Sequence, residues 1–82
     1  MSVEDEIREV LASVGHLAVA AGSLTQDTDL FAAGLTSQAA VELVFGLEDR
    51  LGIEIPDHLI RRESLGSIAQ LIATVQAAGG SA

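Results

Sequence analysis

The chain of 82 residues contains no cysteine, no lysine, no tryptophan and no tyrosine, and only one proline. The missing cysteines exclude a disulfide staple and a thiolate metal site. With Phe31 and Phe45 as the only aromatic residues, the core has to be built from Ala, Val, Leu and Ile. A chain this short buries only about 60% of the surface it would expose when unfolded, so a single domain over residues 1–82 is expected. Four arginines against twelve acidic residues leave a formal net charge of −8. Six of the acids precede residue 36 and six follow it, so the charge is spread over the domain and is not a tail. Phosphate backbones and anionic membranes are bound by lysine and arginine, so neither nucleic acid nor a membrane surface is an expected partner. A basic protein surface is. No window approaches the roughly 18 apolar residues of a membrane span, and the Met-Ser-Val-Glu-Asp-Glu start lacks a signal-peptide layout. The chain reads as a cytoplasmic monomer.

Helical periodicity organises what is present. Ser2 and Asp5 stand at capping-box spacing, Glu4 and Glu6 suit a helix N-terminus, and Ile7, Val10, Leu11 and Val14 form one stripe. The spacing predicts a first helix over residues 3–14, ending at Gly15. From Gly22 to Gly34 the stretch "GSLTQDTDLFAAG" predicts a long loop, anchored to the core by Leu24, Leu30 and Phe31. Gly34 can adopt positive φ cheaply and suits the turn before a helix. A second helix is predicted from about Thr36 to Leu51, with Gly52 ending it. "IEIPD", residues 53–57, reads as a connector with both isoleucines turned inward, since no second strand exists to pair with it. A short helical turn is expected around Asp57 to Arg61. A last helix is expected from near Ser64, with Leu65, Ile68, Leu71, Ile72 and Val75 on one face. The tail from about residue 77 to 82, ending Gly-Gly-Ser-Ala, is expected to be flexible. The expected fold is all-α, a small four-helix bundle with a long first loop and a short third helix.

Helix two carries more than a core stripe. Ala40, Leu43, Val44, Leu47 and Leu51 supply that stripe, which leaves Val41 and Phe45 over. Ser37 continues their row backwards by four residues and Glu48 continues it forwards by three, with Gln38, Glu42 and Asp49 alongside. A hydroxyl at the helix start, two apolar residues and a rim of carboxylates are the ingredients of a transient protein interface. Serine near a helix start is ordinarily a cap. Here Thr36 can cap instead, leaving the Ser37 hydroxyl outward at the positive end of the helix dipole, where a phosphate is tolerated. Gly46 falls inside this helix at a position read as outward-facing, and nothing in the sequence accounts for it.

The stretch "DTDLFAAGLTSQAAVELVFGLEDRLGIEIPD", residues 27–57, resembles acyl carrier proteins and the related peptidyl carrier domains. Asp29, Leu30, Phe31, Gly34, Ser37, Val41, Glu42, Leu43, Glu48, Ile53, Ile55 and Pro56 fall in register with the family pattern without a gap. The family's Asp-Ser-Leu reads Thr36-Ser37-Gln38, which departs from it on both sides of the serine. "AGLTS" and "HLIRRESLGSIAQL" look more like stand-alone aminoacyl carriers.

The resemblance implies that Ser37, flanked by Thr36 and Gln38, is the attachment point for 4′-phosphopantetheine donated by coenzyme A. It implies that the arm holds an acyl or aminoacyl group as a thioester and that the protein itself catalyses nothing. Val41, Glu42, Phe45, Glu48 and Asp49 would be the partner face. The implied partners are a phosphopantetheinyl transferase, a synthetase-like loading ligase, and a downstream acyltransferase or synthase. Arg61 and Arg62 are read as solvated.

Other readings fare less well. A hydrolase needs a base beside its nucleophile, and nothing places His16 or His58 beside Ser37. Asp27 and Asp29 open like a calcium-binding loop, but Ala32 and Gln38 stand where glycine and glutamate are required. Glu63-Ser64-Leu65 imitates the carrier motif and is read as a plain helix cap. The competing reading is an unmodified acidic helical adaptor that binds a basic partner through helix two.

Overall fold

The computed structural model describes residues 2–14 and 23–79. The expected helix end at Gly15, the side chain of His16 and the last three residues of the tail lie outside the described residues. The described chain is all-helical: α1 Val3–Val14, α2 Ser37–Leu51, a 3-10 turn Asp57–Leu59, α3 Arg62–Leu65 and α4 Ile68–Ala77.

The capping box predicted for α1 is formed. The Asp5 N–H donates to Ser2 Oγ at 3.2 Å and the Ser2 N–H donates back to Asp5 Oδ2 at 3.4 Å. Val3, Ile7, Val10 and Leu11 are buried by the helix against α2 and α4. Its polar side holds the first loop: Arg8 pairs with Glu4 and donates to the Leu24 carbonyl at 2.8 Å, and Gln26 Nε2 donates to Glu4 Oε1 at 2.6 Å.

Three leucines tie that loop to the core. Leu24 and Leu30 are buried as expected; Leu35, which the sequence reading passed over, is buried as well. The backbone adds two long-range ties, Leu30 N–H to Gly66 O at 2.8 Å and Ala69 N–H to Gln26 O at 3.0 Å. Asp29 Oδ1 accepts from the Phe31 and Ala32 N–H groups, which winds residues 29–34 into a turn that Gly34 closes at φ 114°. Phe31 is only half-buried: the Arg62 guanidinium lies over its ring, 4.1 Å from the centroid. Arg62 is therefore a stacked side chain, not simply a solvated one.

α2 begins and ends where the sequence placed it, and Gly52 terminates it at φ 64°. Ala39, Ala40, Leu43, Val44 and Leu47 face the core, while Leu51 is half-buried. Gly46 does not face outward. A Cβ built on it would stand 2.8 Å from Val10 Cγ1, so the glycine makes room for a side chain of α1 against α2.

The last helix starts later than expected. Ser64 lies within the single turn of α3, and α4 begins at Ile68 with Ser67 as its cap, Ser67 Oγ accepting from the Gln70 N–H at 3.1 Å. A helix running through from Ser64 would use the Gly66 carbonyl for Gln70. With Ser67 serving Gln70, that carbonyl is free to accept from Leu30 and hold the first loop. The break between α3 and α4 is thus tied to the loop on which α2 depends.

Candidate functional site

The site grows from the turn that feeds α2. Gly34 reverses the chain, buried Leu35 fixes its depth, and Thr36 takes extended backbone at φ −87° and ψ 164°. Thr36 Oγ1 accepts from the Ala39 N–H at 3.0 Å, and the Thr36 carbonyl accepts from the Ala40 N–H at 2.9 Å. The cap is therefore filled before Ser37 is reached. Ser37 is the first helical residue and is exposed, and its hydroxyl has no hydrogen-bond partner among the described residues. The N–H groups of Ser37 and Gln38 likewise have no acceptor there. A phosphate ester on the Ser37 oxygen would meet two free donors and the positive end of a helix of 15 residues, so the residues present fit such a group.

Below Ser37, the outer side of α2 carries Val41, 45% exposed, and Phe45, 63% exposed, the exposed large apolar side chains among the described residues. Gln38, Glu42 and Asp49 are exposed around them. Glu48 has a different setting. It is half-buried, and its Oε2 accepts from the Ile55 N–H at 2.8 Å. Of the side chains assigned to this face by sequence, Ser37, Gln38, Val41, Glu42, Phe45 and Asp49 are open, while Glu48 is engaged by the connector. His58 is exposed on the 3-10 turn, and no described histidine or carboxylate hydrogen-bonds Ser37.

The arginines concentrate the charge. Arg50 reaches across to Glu6 and Glu9 of α1, Arg8 pairs with Glu4, Arg61 lies 3.7 Å from Glu63, and Arg62 covers Phe31. The hydrogen bond that Arg50 donates to Glu6, with the charges of Glu6 and Glu9, holds the guanidinium above its ordinary pKa against a smaller opposing effect of desolvation. Glu4, Glu6 and Glu9 of α1 thus each have an arginine partner. Glu42 and Asp49 on α2, and Glu54 and Asp57 on the connector, have no described cation within ion-pair distance. Asp5 at the start of α1 and Asp27 and Asp29 in the first loop have none either, so the acids without a cation partner fall in the first loop as well as along α2 and its exit. The Arg50 brace on α1 was not legible in the sequence, because its pairs with Glu6 and Glu9 join residues more than 40 positions apart.

Comparison with known proteins follows the same residues. The family model described as "Phosphopantetheine attachment site" matches residues 5–74. An aminoacyl carrier protein from Agrobacterium fabrum is 43% identical over 70 residues, which span 85% of this chain and 84% of the relative. A chain in the crystal structure of an engineered Bradyrhizobium japonicum glycine:carrier protein ligase, complexed with a carrier protein from Agrobacterium tumefaciens and AMP, superposes with a TM-score of 0.87. It is 40% identical, and the match covers 90% of this chain and 99% of that one. A chain in the Bradyrhizobium japonicum ligase complexed with glycylated carrier protein is 30% identical with a TM-score of 0.75, covering 88% and 96% respectively.

Proposed function

The chain belongs to the phosphopantetheine-bearing carrier proteins, and from that premise we propose that Ser37 bears the arm and that the cargo is an amino acid loaded by an ATP-dependent ligase. The observation that carries the Ser37 assignment is the filled cap: Thr36 serves the Ala39 N–H, so the adjacent hydroxyl is spare, exposed and at the positive end of α2. In the attachment reaction the Ser37 Oγ–H gives way to an Oγ–P bond, and adenosine 3′,5′-bisphosphate leaves from coenzyme A with the electrons of the broken P–O bond. The attached group supplies a terminal thiol on a long arm, on which an acyl group travels as a thioester. The chain's own residues present the serine, hold α2 rigid against α1, and offer Val41, Phe45, Glu42 and Asp49 to a basic partner surface.

The aminoacyl cargo is supported by the relatives, an aminoacyl carrier protein among them and carriers seen with a glycine ligase. Gln38 in place of an apolar residue sets this partner face apart from the general acyl-carrier pattern. The test has two stages. Coenzyme A and a promiscuous phosphopantetheinyl transferase are expected to add one phosphopantetheine to the native chain by intact mass, and none to Ser37→Ala. No addition under conditions that modify a control carrier would leave the unmodified adaptor as the reading. The protein bearing the attached, empty arm is then offered ATP, a panel of amino acids and the Bradyrhizobium ligase. A mass gain of one aminoacyl group, released by hydroxylamine, is expected, with glycine the first candidate; no gain with any amino acid overturns the cargo and leaves Ser37 standing.

A further inference from the structure

Glu48 is the only acid of α2 drawn into the fold, and it meets the connector three times. Its main-chain carbonyl accepts from the Gly52 N–H and from the Ile53 N–H, the latter at 3.1 Å. Its carboxylate accepts from the Ile55 N–H at 2.8 Å, seven residues on. The first two bonds end the helix in the usual way for a left-handed glycine. The third is a side-chain bond at the point where the chain has no secondary structure to satisfy it. Ile55, which it holds, is buried at 4% exposure, directly before Pro56 and the 3-10 turn Asp57–Leu59. An unpaired N–H at that depth would be costly, and the Glu48 oxygen removes the cost.

We propose that Glu48 is a positioning residue for cargo loading: its carboxylate clasps Ile55 and so fixes the connector, and with it Glu54 and Asp57, at the exit of α2. Glu48 therefore acts through an acceptor atom, whereas Glu42 and Asp49, which have no such bond, act through charge. The inference rests on the carrier reading for its link to loading, while the clasp itself does not.

The experiment exploits the fact that Glu48→Gln and Glu48→Ala remove the same charge, but only glutamine keeps an acceptor. Amide exchange at Ile55 is measured on each variant, with the α1 and α4 amides reporting global stability, alongside loading kcat/KM over a salt series in the ligase reaction above. In Glu48→Ala, Ile55 exchange is expected to rise by about tenfold or more, and loading to fall by roughly tenfold through KM. Glu48→Gln is expected to stay within about threefold of the native chain in both readouts. Both variants should share one salt dependence, while Glu42→Gln should flatten it with Ile55 still protected. Equal loss of loading in the Gln and Ala variants, with Ile55 as protected as in the native chain, overturns the clasp and makes Glu48 a docking charge. A native chain that takes no arm on Ser37 overturns the carrier reading instead, and the Ile55 exchange pattern then decides the clasp by itself.

Discussion

Thr36 and Ser37 are neighbours with the same functional group and opposite fates. Oγ1 of Thr36 lies back over the first turn and accepts from Ala39, while that of Ser37 points to solvent. The backbone decides this: the residue in extended conformation just before the helix aims its side chain forward at the free N–H groups of the first turn. Thr36→Ala is therefore expected to lower unfolding stability by about 0.5–2 kcal/mol, and Thr36→Ser to restore most of it, as read from urea midpoints. Ser37→Ala should stay within about 0.5 kcal/mol of the native chain. An equal loss at Ser37 would mean that the serine shares the cap and is not spare. The division was legible in the sequence because two hydroxyl residues precede an apolar periodicity, and one cap needs only one of them.

At the scale of the helices, the informative position is Gly46. Helix propensity alone favours alanine there by up to about 1 kcal/mol. The contact with Val10 opposes this, since an added Cβ would overlap Cγ1 of a β-branched, buried side chain with little room to turn. Gly46→Ala is expected to destabilise by about 1 kcal/mol despite its better propensity. Combined with Val10→Ala, which removes the obstructing methyl, the two changes should deviate from additivity by more than about 0.5 kcal/mol in the rescuing direction. Simple additivity in a double-mutant cycle would remove close helix approach as the reason for the glycine. The same logic explains the late start of α4. The pattern of apolar residues runs through Leu65 and Ile68 without a break. The interruption at Gly66 follows from Leu30, 36 positions earlier, needing a carbonyl.

For the molecule as a whole, the arginine pairs brace α1 and leave the outer acids of α2 unpaired. Arg50 joins α1 to α2 through Glu6 and Glu9 and leaves the outer acids of α2 alone. Because the Arg50 pKa is raised in the folded state, its contribution is fully present below the unfolded value and is lost only as pH rises through the folded one. That lies in strong alkali, so this brace is constant through neutral pH and is weakened by salt rather than by titration. The outer face of α2 is the one proposed to meet a partner. Glu42→Arg with Asp49→Arg is expected to slow cargo loading by about tenfold or more and to flatten its dependence on ionic strength, measured as initial rates over a salt series. Loading that is unchanged would remove electrostatic docking through α2 while leaving Ser37 as the attachment point. No helix among the described residues is long and apolar enough to cross a membrane.

The sequence by itself determined α1 and α2, the loop anchors Leu24 and Leu30, the turn at Gly34, the cap at Thr36 and the exposed row of Ser37, Val41 and Phe45. Each of these depends on residues within a few positions of one another, through caps, turns and helical period. Tertiary structure decided what depends on partners far along the chain. It turned Gly46 inward against Val10, set Arg62 on Phe31, spent Gly66 on Leu30 and paired Arg50 with α1. Glu48 belongs to both accounts. Its place in a row of acids is written in the helix, but whether its carboxylate faces a partner or its own connector depends on where Ile55 comes to rest, and packing alone sets that.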